Sequence, residues 1–235
     1  MKIFCITVFL LGLFHGALAQ EAEAERTFRT LTAMMPIKGL KYEVDGVVRD
    51  LDIRNELSDP YPLPRRKLEI FCDLPLDPKR KAQGRDPERH ILATVDVSSF
   101  TDQMILFFLK DSSGRVRVVS YEDDYDVHRA GTIRIFNLSS MNAALQVRDE
   151  VYPVGVGEIT YAPYETGPIL VKVAVQGPEK WSIAYRKGRI AYSQMRAYAV
   201  IFDYEKDPKL KDPISSGSAT VRVFTEMVPN EFLPQ

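Results

Sequence analysis

Apolar and polar residues alternate with a period of two through most of the chain, the spacing that sends successive side chains to opposite faces of a strand. Such runs cover 41–47, 67–72, 91–97, 104–109, 115–121, 132–137, 144–147, 158–161, 169–175, 181–185, 196–204 and 219–225, and they are rich in Val, Ile, Phe and Tyr. Turn formers separate them, notably the Pro60, Pro62 and Pro64 stretch, Asp111–Gly114, Lys187-Gly188 and Asp212–Gly217. Only Thr27–Met35 and Asp102–Ile105 read as short helices. The pattern predicts an all-β, antiparallel architecture.

Two runs depart from the alternation. Met104–Leu109 and Ala197–Phe202 are apolar without interruption, as strands buried on both faces are, and each precedes a strand of Val-Arg-Val type. The order of patterns in the first half, from Leu40 through Lys67 and Met104 to Arg115, returns about 100 residues later as Ala143, Leu170, Ala197 and Val221. The expected fold is therefore two tandem immunoglobulin-like antiparallel β-sandwich modules, each of about 100 residues. Their boundary is expected in the polar segment Glu122–Gly131, giving modules over 20–128 and 129–235, with the second able to fold alone.

The N-terminus adds a compartment. Lys2 leads into an apolar run from Ile3 to Phe14, followed by Ala17-Leu18-Ala19 and the acidic segment from Gln20 to Glu25. This is the form of a secretory signal peptide over residues 1–19, shorter than a bilayer-spanning helix. The product is expected to be periplasmic or extracellular, with no membrane span in the mature chain. Cleavage removes Cys5 and leaves Cys72 with no internal disulfide partner. Cys72 shares strand parity with Leu68 and Ile70, so it reads as a small buried hydrophobe.

The passage Ala130-Gly-Thr-Ile-Arg-Ile-Phe-Asn-Leu-Ser-Ser140, with the strand at Ala144–Val147, Gly188 and the run from Ala197 to Asp203, resembles a group of exported bacterial β-sandwich proteins of unknown function. The resemblance covers mainly residues 130–235. It implies a fold and a compartment, and carries over no catalytic residue.

Charge narrows the chemistry. The formal net charge is −1, with 31 Lys+Arg against 32 Asp+Glu, so no nucleic-acid footprint is expected. No nucleophile elbow, His-Glu-x-x-His or phosphate loop occurs, and His90 and His128, the histidines of the mature chain, lie in no nucleophile motif. No catalytic residue and no cofactor are assigned. The densest polar cluster is Glu122, Asp123, Asp124, Asp126 and His128. Asp123, Asp124, Asp126 and His128 are weak metal-ligand candidates, but the spacing is not that of a calcium loop, and a solvated connector explains them as well. Trp181, Tyr185 and Tyr192 surround the turn at Arg186–Arg189, and Trp181, Ile183 and Tyr185 share one strand parity. They read either as core or as a binding surface for an envelope protein or a polysaccharide. The functional expectation is an exported, non-catalytic binding or structural protein of the cell envelope. A carbohydrate-binding module using those rings, or a hydrolase with no visible site, is the alternative. Asn137-Leu138-Ser139 is a formal glycosylation acceptor.

Overall fold

The computed structural model describes residues 26–32, 36–74, 88–110, 115–203 and 219–233. The proposed signal peptide and most of the Leu76–Arg89 stretch lie outside the described residues. Sixteen strands are present among them, with no α-helix. They are β1 (Thr27–Thr32), β2 (Ile37–Val44), β3 (Val47–Ile53), β4 (Tyr61–Pro62), β5 (Lys67–Asp73), β6 (Arg89–Asp96), β7 (Gln103–Lys110) and β8 (Val116–Glu122). In the second half they are β9 (Thr132–Asn137), β10 (Ala143–Val147), β11 (Glu150–Val154), β12 (Ile159–Pro163), β13 (Gly167–Gln176), β14 (Trp181–Ala191), β15 (Met195–Asp203) and β16 (Ala219–Met227).

These strands form four four-stranded sheets, in the orders β3-β2-β5-β6, β4-β1-β7-β8, β12-β9-β15-β16 and β11-β10-β13-β14. The pairing of β9–β16 repeats that of β1–β8 strand for strand. Pairing is antiparallel except at two equivalent places, where β1 runs parallel to β7 and β9 runs parallel to β15. The expectation of a wholly antiparallel protein is corrected at these pairs. The strand order also differs from that of an immunoglobulin constant domain, in which the first, second, fifth and fourth strands make one sheet.

Three hydrophobic clusters fix the stacking of the sheets. One joins β2, β3 and β5 to β1 and β7 through Tyr42, Ile70, Phe28, Leu106 and Phe108. Another joins β10 and β13 to β9 and β15 through Leu145, Val173, Ile135 and Ile201. The third lies between the two sandwiches, where Leu31, Ile105 and Phe107 meet Phe136, Tyr198, Val200 and Phe202. The molecule is thus four sheets deep, and its central layers are covered on both faces. That is why β7 and β15 lack alternation: even positions of β7 face the first core and odd positions the third. Aromatic packing at 4.9 Å between Phe107 and Phe136 crosses the expected module boundary.

Several local expectations change. Thr27–Thr32 is a strand rather than a helix, because its three β-branched threonines favour extended backbone and Phe28 and Leu31, of opposite parity, each find a core. Asp102–Ile105 opens β7 rather than a helix. The run 41–47 is broken by a two-residue turn in which Asp45 and Gly46 have φ of 51° and 76°, the Asp-Gly signature of a hairpin between β2 and β3. Lys187-Gly188 is not a turn; β14 runs through it, paired with β13 from Trp181 to Ala191.

Candidate functional site

Two places concentrate polar chemistry, one buried between the sandwiches and one on the outer face of the last sheet.

The buried place centres on Asp123, which follows β8 and is fully buried. Arg29 of β1 reaches its Oδ2 at 3.0 Å, Arg196 of β15 at 3.4 Å, and the Tyr198 hydroxyl donates to the same oxygen at 3.0 Å. Glu226 of β16 completes the cluster, pairing with Arg29 and accepting from Arg196 Nε at 2.5 Å. The remaining donors of Arg196 go to the carbonyls of Asp123 and His128, at 2.9 and 3.2 Å, and its guanidinium lies 4.3 Å from the Tyr125 ring. Arg134 of β9 sits 3.6 Å from Asp123 Oδ1 and donates to the Glu122 carbonyl. Elements of both halves therefore share one charge network, in which three guanidiniums surround two carboxylates.

Asp123 titrates below the usual carboxylate range: burial raises it, but the His128 contact and the charges of Arg196 and Arg29 outweigh that. Glu226 is likewise lowered, its burial being outweighed by Arg29 and Arg196. Burial lowers His128. Its Nε2 lies 3.4 Å from the Thr132 carbonyl. Nδ1 faces Asp123 Oδ1 at 3.8 Å, and both atoms lack a hydrogen-bond partner.

The connector is thus not solvated at Asp123 and His128, a correction to one of the two readings above. Nor do the acids converge. Asp124 turns away to accept the Gln103 and Asp102 amides at 2.5 and 3.2 Å, and Asp126 is exposed. Among the described residues no group of three or more His, Cys, Asp or Glu side chains is placed to hold a metal. The network pairs buried charges from elements of both sandwiches, and Arg29 and Glu226 are its partly exposed members.

The second place is the outer face of the sheet β11-β10-β13-β14. A β-bulge at Ala184, where Val173 pairs with Tyr185 but Ala174 pairs with Ile183, shifts the parity of β14. Trp181 and Ile183 consequently face solvent, 49% and 62% exposed, while Tyr185 turns inward against the core and meets Arg189 through its hydroxyl at 3.1 Å. The expected shared parity of Trp181, Ile183 and Tyr185 is corrected by this one extra residue. Tyr192 is exposed beyond the strand end. Further along the same face come Arg186 opposite Lys172, then Gly188 opposite Leu170, then Ile190 opposite Pro168. Because Gly188 has no side chain, Pro168, Leu170, Gly188 and Ile190 frame an open depression of about 510 Å³.

On this face Lys172 and Arg186 make no ion pair among the described residues, and Lys172 has only Gln146 at 3.2 Å. The equivalent outer face of the first half contrasts with this. There Lys41 pairs with Asp73 at 2.6 Å, and Arg89 pairs with Glu43 at 2.7 Å while covering Phe71 at 4.5 Å.

Other singled-out residues are structural. Cys72 is a free thiol packed against the first core, with His90 opposite it in register. Asn137 is buried, its amide donating to the Met141, Val154 and Gly155 carbonyls at 2.8 to 3.0 Å, which ties the end of β9 to β11 and leaves no amide free for a glycan. Sequence reading missed Arg29, Arg134, Arg196, Tyr198 and Glu226. The available signal was an arginine inside an apolar strand, in Ile-Arg-Ile-Phe and Met-Arg-Ala-Tyr, which requires a buried partner.

Among the described residues no helix is long and apolar enough to cross a membrane. Compared with models of protein families and with curated proteins, the chain matches none.

Proposed function

We propose that the protein is an exported, non-catalytic binding protein built of two tandem β-sandwich modules, and that it binds through the outer face of the sheet containing β14. The observation that carries this reading is the exposure of Trp181, Ile183 and Ile190 beside Lys172 and Arg186, which make no ion pair among the described residues. An apolar face rimmed by unneutralised charge is the composition of an interface rather than of a solvated surface. The buried network has the opposite character, since each of its guanidiniums has a carboxylate within 4 Å and is largely shielded from water, and this supports a structural role there. The bulge removes the pair of rings on which a carbohydrate platform would depend, and isoleucines take their place. The signal-peptide pattern at residues 1–19 supports export to the periplasm or the exterior.

The test has two arms. Protein recovered from the medium or periplasm of a secreting host is expected to begin at Gln20 or within a few residues of it, and an intact Met1 in that fraction would contradict export. A panel of immobilised polysaccharides, anionic vesicles and random peptides is expected to yield binding that weakens about tenfold in Ile183→Asp. No binding by any class, or turnover of a generic ester or glycoside substrate, would overturn the reading.

A further inference from the structure

Residues on one face of a strand recur about every 7 Å, twice the rise per residue. On the outer face of β13 and β14 this produces successive rows: Ala174 with Ile183, Lys172 with Arg186, and Leu170 with Gly188, followed by Pro168 with Ile190. The first row is apolar and carries Trp181 at its far side, the second holds two cations, and the third opens into the depression beside Gly188. Two like charges directly opposite each other repel, and their sheet offers no carboxylate between them. An arrangement that is unfavourable alone becomes favourable when a partner supplies a negative charge at that row.

We infer that this face takes an extended segment of a partner protein carrying an apolar side chain, then two residues on an Asp or Glu, then two residues on another apolar side chain. The inference rests on the binding reading above and specifies its ligand class. An extended chain repeats its side chains at the same 7 Å, so the three positions meet the three rows in order. The carboxylate sits between Lys172 and Arg186. One apolar side chain packs on Ile183 and Trp181. The other enters the depression, where a β-carbon placed on Gly188 meets nothing within 4 Å. A second copy bound through the same face brings cations against cations. A polysaccharide leaves the isoleucines without apolar partners. A membrane surface has no use for the ordered rows.

The test is selection of a random-peptide display library on the full-length secreted protein. Binding of the enriched peptides is then measured on wild type, Arg186→Glu, Lys172→Glu and Gly188→Leu. Gly188 has no left-handed φ and open space around its missing side chain, so Gly188→Leu blocks the depression without strain; unchanged melting confirms folding of each variant. The expected result is enrichment of the apolar-x-acidic-x-apolar pattern and about tenfold weaker binding in Arg186→Glu and in Gly188→Leu. Binding to Arg186→Glu is recovered when the acidic residue of the peptide is changed to Lys. Enriched peptides that lack the acid but still depend on Gly188 would overturn the ligand class and leave the binding face standing. Peptides indifferent to all three substitutions would overturn both. Sedimentation with anionic vesicles abolished by Arg186→Glu, with no peptide enriched, would assign the face to a membrane instead, and a dimer dissociated by Ile183→Asp would assign it to a second copy.

Discussion

The contact between the two sandwiches and the outer face of the last sheet are both apolar sheet surfaces that carry cations, yet they differ in one respect. Between the sandwiches Arg29, Arg134 and Arg196 gather around Asp123 and Glu226, and the phenol of Tyr198 satisfies a remaining acceptor. On the outer face Arg186 and Lys172 stand opposite each other, and among the described residues no acid pairs with either. A sheet surface buried within the chain must contain its own counter-charges, because an isolated buried ion carries a large desolvation penalty. A surface that waits for a partner can leave them to be supplied.

Removing pieces of the inner contact should have the largest effects. A fragment from Gly131 to Gln235 exposes Phe136, Tyr198, Val200 and Phe202 and deprives Arg196 of Asp123. It is expected to bind a hydrophobic dye and to lose the near-ultraviolet circular dichroism that the same strands show in the whole chain. Asp123→Ala leaves the guanidiniums facing one another in a buried site, with an expected loss of about 3–5 kcal/mol. For a chain of this size the melting temperature falls by roughly 6–20 °C. Phe107→Ala opens a cavity in the third core and should cost about 3–5 kcal/mol in chemical denaturation.

Smaller effects come from titration. Burial lowers the pKa of His128, so near pH 6.5 the unfolded chain takes up a proton that the folded chain refuses. Stability therefore declines as pH falls from about 7 to about 5, because the unfolded state then binds more protons. Asp123 and Glu226, both lowered, add their losses at more acidic pH, starting as pH falls through the ordinary carboxylate range, where the unfolded chain takes up protons that the folded chain refuses, and continuing below it. Denaturant midpoints measured across this range should show a flatter slope between pH 7 and 5 in His128→Asn. At the bottom of the scale, Arg186→Ala and Ile183→Ser on the outer face should shift stability by no more than about 0.5 kcal/mol. A large loss at either would mean that this face already supports the fold.

The strands were legible in the sequence wherever one face meets a core and the other meets solvent, as at Leu68, Ile70 and Cys72. The uninterrupted runs at Met104 and Ala197 also carried their message, a strand covered twice, but not what covers it. Nothing local states that the covering layer is the other half of the chain, since Phe107 and Phe136 meet only through packing. The parallel pairs were hidden for a similar reason: alternation reads the same whichever way the neighbour runs. At the outer face, a single extra residue at Ala184 reversed the parity of Tyr185 against Trp181, and alternation cannot register such a bulge before the partner strand is known. The charge network was half visible, because an arginine within an apolar strand demands an acid, while the choice of Asp123 and Glu226 belongs to the tertiary structure.

The claim that one buried contact joins the two sandwiches is tested most directly by native-state hydrogen exchange in wild type and in Asp123→Asn, following the amides of β7 and β15. The two strands lie in different halves and meet across the third core. They are expected to open with the same free energy in wild type and to lose protection together in the variant. Loss of protection in β15 with β7 unchanged would contradict the account and show that the halves are stable separately.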